Sequence, residues 1–163
     1  MTARLVAAGA VLALATATAG PLAAQAPAPG DERAAALQVV TGLFDAMRAG
    51  DTTAMRAAFA PGVALQSVGA GRDGVVAVRA TPLDDFLKSV AGRPAGAVLD
   101  ERLRNPVVQV DGPLASVWVD YGFFVSGKFS HCGVDAFTLA KGAGGWRIIG
   151  IADTRQREGC TGW

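Results

Sequence analysis

Between residues 115 and 125 the apolar side chains recur on every second position. Val117, Val119, Tyr121, Phe123 and Val125 fall on one parity, and Ser116, Trp118, Asp120, Gly122 and Phe124 on the other. That period belongs to a strand; a helix cannot present it as one face. A further strand is expected before it, over residues 98–110 with an interruption at Asn105-Pro106, and two more after it, over residues 135–140 and 146–152. Proline cannot donate to a ladder, so Pro106 belongs at a bulge or an edge. Asp111-Gly112-Pro113 and residues 141–145 supply turns. The C-terminal half is therefore committed to sheet. The more apolar parity of the central strand faces inward, which puts Tyr121 and Phe123 on the inner surface.

The N-terminal half supplies helices. A first helix is expected from Asp31 or Glu32 to about Ala49, with Leu37, Val40, Phe44 and Met47 on one face, Leu43 beside them and Gly50 as its stop. Asp51 and Thr52 can cap a second, shorter helix reaching Phe59, which Pro61-Gly62 ends. Residues 63–68 and 75–79 read as a hairpin around GAGRDG at 69–74. Those glycines do not make a phosphate loop, because no strand-to-helix step and no GK[ST] accompany them. Thr81-Pro82-Leu83-Asp84 starts a third helix running to about Val90, with Thr81 as the cap and Pro82 in the first position. The order α, α, β, β, α and then four strands makes an α+β domain, a strongly curved, cone-like antiparallel sheet packed on the N-terminal helices and able to enclose a pocket.

A length of 163 residues bounds the chain at one such domain. Residues 1–26 read as a signal peptide: Arg4, an Ala/Val/Leu run over residues 5–19, the Gly20-Pro21 break, and small residues for cleavage after Ala24 or Ala26. Residues 27–32 are a linker, and 33–163 the domain with its C-terminal tail. The apolar run is too short to span a membrane, and the cleaved protein is expected to have no membrane anchor and to be periplasmic or extracellular. Lys plus Arg number 15 against 14 Asp plus Glu, without a basic run, so nothing in the charge marks a nucleic-acid partner. In an oxidising compartment the chain's two cysteines, Cys132 and Cys160, are expected to form a disulfide. Their spacing fits no zinc pattern and a single histidine is too few for a ligand set, so no metal or cofactor is expected.

Three stretches resemble the nuclear transport factor 2-like superfamily: residues 39–47 through Gly50-Asp51 to Phe59-Ala60-Pro61, the ending strand Gly145-Trp146-Arg147-Ile148-Ile149, and YGFFVSGKFSHCGVDAF at 121–137 with DTRQREGC at 153–160. The last pair is similar to the lumazine-binding-like subgroup. The resemblance implies the cone fold and a possible homodimer through the sheet face; it does not imply one chemistry, because the superfamily mixes enzymes, binding modules and other proteins. The first helix offers no Tyr for the oxyanion pair of a ketosteroid isomerase, since the single Tyr is Tyr121.

If residues 126–132 form a loop, Phe123 faces Asp135, Tyr121 faces Phe137, and across the next hairpin Phe137 faces Ile149 and Asp135 faces Ile151. The expected ligand-binding surface is then Tyr121, Phe123, Asp135 and Phe137, with Phe44 and Met47 of the first helix as the opposite wall and Asp153 near the open end. Asp135, Tyr121 and His131 are the candidates for acid–base chemistry, none of them assigned a catalytic role. The plainer reading gives Asp135 to loop amides near Gly133 or to Arg155, and His131 to a hydrogen bond in the loop. A Ser130-His131-Asp135 triad lacks both a nucleophile elbow and the spatial arrangement. Trp118 and Phe124, with Trp146 as a further candidate, form an outward apolar set. The function expected first is an exported domain holding a small hydrophobic or aromatic ligand without catalysis. The alternatives are an isomerase, dehydratase or cyclase on the same pocket, and an interaction module whose cone is filled by its own side chains.

Overall fold

The computed structural model describes residues 29–71 and 74–163; the expected signal peptide lies outside them. Three helices and six strands follow in chain order: α1 (Pro29–Ala49), α2 (Thr52–Ala58), β1 (Ala64–Ala70), β2 (Val76–Pro82), α3 (Leu83–Ala91), β3 (Leu99–Asp111), β4 (Leu114–Val125), β5 (Lys128–Gly142) and β6 (Gly145–Thr154). The α1 helix starts at Pro29, inside the stretch expected as linker. A proline's fixed φ and missing N–H suit a first helical turn. Asp51 caps α2, its carboxylate accepting from the Ala54 amide at 2.9 Å. Thr81, expected to cap α3, lies instead in β2 opposite Leu65, and Pro82 holds the cap position.

The sheet runs β2-β1-β6-β5-β4-β3. All neighbours are antiparallel except β1 and β6, which pair parallel, so the sheet is mixed where an antiparallel one was expected. Pro106 sits as its sequence requires, in a register shift between Arg104 and Val107 of the edge strand β3, with Asn105 at φ 52°. The inner face of β4 carries Ala115, Val117, Val119 and Tyr121, all nearly inaccessible. Val40, Leu43, Phe44 and Met47 of α1 pack against that surface together with Met55, Leu87 and Val90. No helix of the described residues is long and apolar enough to cross a membrane.

Two registers differ from expectation. The β4–β5 hairpin closes through a two-residue turn, Ser126 (φ 49°) and Gly127 (φ 79°), joining Val125 to Lys128. Left-handed φ at both positions is the geometry whose twist matches the flanking strands. The expected loop is thus mostly strand: Phe123 faces His131, Tyr121 faces Gly133, Val119 faces Asp135 and Val117 faces Phe137. In β6 an extra residue between the partners of Thr138 and Leu139 reverses the parity. Ile149 points outward, 43% exposed, while Ile148 and Trp146 turn inward. Phe137 therefore faces Ile151, and Asp135 faces Asp153. Trp146 is buried rather than part of an outward patch, its Nε1–H donating to Glu32 Oε2 at 2.9 Å.

The expected disulfide is present. Cys132 and Cys160 are bonded with Cα atoms 5.8 Å apart. The bond pins the tail beside the outer face of β5, where Cys132 also exchanges backbone hydrogen bonds with Gln156. Trp163 lays its ring over Gly122, where any side chain would collide with it, and the Arg104 guanidinium lies 4.0 Å from the ring centre.

Candidate functional site

Between α1, α3 and the inner sheet face lies a cavity of about 270 Å³. Its helical wall is apolar except for Ser89: Phe44 and Met47 come from α1, Phe86 and Val90 from α3. The sheet wall is apolar at Leu65, Leu99 and Phe123 and polar at Glu101, Tyr121, His131, Asp135, Asp153 and Arg155. The division follows from the strands. At this end of β4, β5 and β6 the inward positions pass from Val119, Phe137 and Ile151 to Tyr121, Asp135 and Asp153.

The structure brings together Phe44, Met47, Tyr121, Phe123, His131 and Asp135 on the cavity lining. Phe137 lies behind it, packed edge-on against Phe44 with ring centres 6.0 Å apart, because the shorter hairpin pairs it with Val117, deeper in the sheet. The Tyr121 hydroxyl donates to the Thr154 carbonyl at 2.8 Å, which fixes its ring and leaves only an acceptor lone pair for a ligand. Burial raises the Tyr121 hydroxyl above its ordinary range, so it remains a phenol. Gly133 is required at this point: a side chain there would collide with the same Thr154 carbonyl oxygen.

His131 sits in strand, not in a loop. Its ring centre lies 4.9 Å from that of Phe123 and 5.7 Å from that of Tyr121, and Nδ1 is 3.0 Å from Ser130 Oγ. Burial, with Arg155 adding, lowers its pKa to about 4, so the imidazole is neutral at pH 7.

Asp135 is 2% exposed. Neither partner of the plainer reading holds it. The Val134 amide bonds the Thr154 hydroxyl, and Arg155 forms no ion pair among the described residues. Its neighbour is Glu101, with which it shares a carboxyl–carboxyl hydrogen bond that requires a proton on one of the two. Burial raises Asp135 to about 7, with the bond from Glu101 opposing and the Asp153 charge adding. Burial, and then the Asp135 charge, push Glu101 well above the usual carboxylic range. Asp135 Oδ2 is buried and accepts no hydrogen bond from any N–H or hydroxyl of the described residues. Asp153, by contrast, accepts from the Ser67 hydroxyl.

Glu101 is the residue that sequence reasoning missed. It shares its parity with Leu99 and Leu103 and pairs with Phe123. A carboxylate on the inward set of β3 was the available signal, but the faces of that strand depend on a register that the bulge obscures. No group of three or more potential metal ligands with suitable geometry occurs among the described residues.

The model of the family described as "Putative lumazine-binding" matches residues 31–151. The chain belongs to this family. Solved structures agree on the fold at identities too low to carry more. An NTF2-like protein of unknown function from Shewanella baltica superposes with a TM-score of 0.63 at 16% identity, covering 82% of this chain and 100% of its own. A "putative dehydratase from the NTF2-like family" of Streptomyces avermitilis gives 0.61 at 18%, covering 79% and 99%. An NTF2-like protein with a cystatin-like fold from Novosphingobium aromaticivorans gives 0.61 at 16%, covering 80% and 85%. No curated protein matches the chain. The family's α+β cone is thus the fold described above.

Proposed function

We propose that this protein binds a small, largely apolar or aromatic molecule in the cavity between α1, α3 and the inner sheet face, without transforming it. One observation carries the reading. The cavity, about 270 Å³, has apolar walls and ends in a cluster of polar groups held by neighbouring strands. Ligand sites combine apolar lining with a few convergent polar groups in this way, in volumes upward of about 300 Å³, so the occupant is of single-ring to small bicyclic size. An open cavity weighs against a cone filled by its own side chains. The family's description concerns a small molecule and supports the same class without naming the ligand here.

A second reading draws on Asp135 alone. A carboxyl group raised to about 7 in an apolar cavity suits proton transfer near neutrality, as an isomerase or dehydratase would need.

Export fits the Cys132–Cys160 bond, since such bonds persist in oxidising compartments. A homodimer through the outer sheet face is supported by the cross-strand pair Val107 and Trp118, each 56% exposed.

Native mass spectrometry of the full, disulfide-bonded chain tests the binding reading. The expected spectrum contains a copurified small molecule at one per chain, lost from the variant Val90→Phe, which fills the cavity. A chain that carries nothing and also takes up no single-ring aromatic probe would overturn it.

A further inference from the structure

The polar end of the cavity contains more acceptors than the chain satisfies. Glu101 from β3, Asp135 from β5 and Asp153 from β6 bring three carboxyl groups to one wall, against a single guanidinium, Arg155, which is solvent-exposed and unpaired with any of them. Asp153 is satisfied by Ser67. Asp135, which lines the cavity, is not: its buried Oδ2 has no N–H or hydroxyl donor, and the donor the side chain does have is the proton it shares with Glu101. A buried acceptor left this way is costly unless a donor arrives. Tyr121 has already spent its hydroxyl hydrogen on Thr154. The helices contribute no charge, and their one lining hydroxyl, Ser89, donates to the Phe86 carbonyl; β1 and β2 offer only the neutral Gln66, Ser67 and Thr81. The remaining ring nitrogens belong to His131, which is neutral at pH 7 and tilted against Phe123. The occupant must therefore bring donors, and the wall favours positive charge over negative.

We propose, resting on the binding reading above, that the cavity takes a small planar organic cation of the amidinium or aryl-amine class, which donates into the Glu101–Asp135 carboxyl pair while its ring lies between Phe44 and Phe123. The aromatic faces of Phe123 and Tyr121 add attraction for a cation in a desolvated site. Adjacent N–H groups on a planar cation match two neighbouring carboxyl oxygens as a fork.

Binding is then linked to a proton. Below the Asp135 pKa of about 7, Asp135 carries a proton of its own besides the one shared with Glu101, and the cation must displace it. That proton leaves to solvent, so affinity rises with pH up to neutrality and levels above it. His131, with its pKa near 4, does not titrate in the upper part of this range. Arg155 is the one guanidinium lining the cavity, and Asp153 accepts from Ser67.

The test is calorimetry on the full chain with three single-ring probes: benzamidine, benzamide and benzoate. Benzamidine is expected to bind at least about tenfold more tightly than benzamide, with no binding of benzoate. Between pH 5 and 7 its affinity should rise by about tenfold per pH unit, with about one proton released as measured in two buffers of different ionisation enthalpy. Asp135→Asn should abolish the proton release and the preference for the cation while benzamide still binds, and Glu101→Gln serves where that variant does not fold. Equal binding of benzamide and benzamidine, a preference for benzoate, or a pH-independent affinity overturns the cation site and leaves the cavity reading standing. If none of the three binds, both readings fall.

Discussion

The two ends of one sheet face have been put to opposite uses. At the closed end, β4, β5 and β6 send in Ala115, Leu139, Ile148 and Trp146, each buried and each packed against another apolar group of the core. At the open end the same strands send in Tyr121, Asp135 and Asp153, and space is left between them and the helices. At the closed end the inward Trp146 Nε1–H has its partner in Glu32, which its cross-strand neighbour Lys141 also bonds. At the open end the buried Asp135 Oδ2 has no N–H or hydroxyl partner among the described residues. Buried polar groups are normally satisfied from within the chain, so the contrast separates the part of the face that builds the fold from the part that faces a ligand.

That separation predicts a graded set of outcomes. Trp146→Ala should be the most damaging: removing a large buried ring costs about 3–5 kcal/mol, read by urea denaturation, while the folded fraction keeps its affinity for a cavity probe. Loss of that affinity at unchanged cavity geometry would break the separation. Replacing Cys132 and Cys160 by Ser should cost roughly 3–4 kcal/mol in the chain-entropy model, for a bridge spanning a sequence separation of 28. Because the bridge also steadies the segment bearing Thr154 and Arg155, probe affinity should fall as well, which distinguishes this variant from the first.

Asp135→Asn has a smaller effect whose sign depends on pH. In the wild type, the Asp135 pKa is raised from 3.8 to about 7 in the folded state. Its contribution is whole below the lower value and is lost as pH rises toward 7. The His131 pKa is lowered from 6.5 to about 4, so its contribution is present above 6.5 and lost as pH falls. Between about pH 4 and 6.5 the two slopes oppose each other. The Asn variant removes the first but keeps the falling contribution of Glu101, whose pKa burial also raises, so across that window its stability should fall less steeply with pH than the wild type's, by up to about 1.4 kcal/mol per pH unit for one whole proton. A pH slope unchanged from the wild type's would mean that Asp135 is not the group responsible. Trp118→Ser, on the outward face, should change unfolding stability by less than about 0.5 kcal/mol. A larger cost would show that this ring is covered.

The inner face of β4 was legible because alternation fixes parity without any knowledge of register. Asp135 kept its inward position for the same reason: the hairpin was expected too long, but the displacement of each partner was an even number of residues. His131 was misplaced by that error, because Ser126-Gly127 was read as the start of a loop when it is the whole turn. Ile149 and Trp146 exchanged faces through a bulge for which Gly150 was the only hint, and one glycine does not specify which strand carries the extra residue. Glu101 stayed hidden because its strand contains its own interruption at Pro106. Local patterns thus announced the apolar wall, whereas the acid pair exists only through the pairing of β3 with β4 and of β4 with β5, which is long-range information.

The single Tyr of the chain is Tyr121, and it lies on the cavity wall with His131 against its ring and its hydroxyl held by Thr154. The chain has therefore placed one uniquely assignable phenol ring at the point of interest. Its ring proton resonances can be followed without introducing a label or resolving overlapping signals from other tyrosines. Ligand arrival, proton loss from the neighbouring acids and release of the tail should each disturb that one signature differently, giving a magnetic-resonance readout of the site already written into the polypeptide.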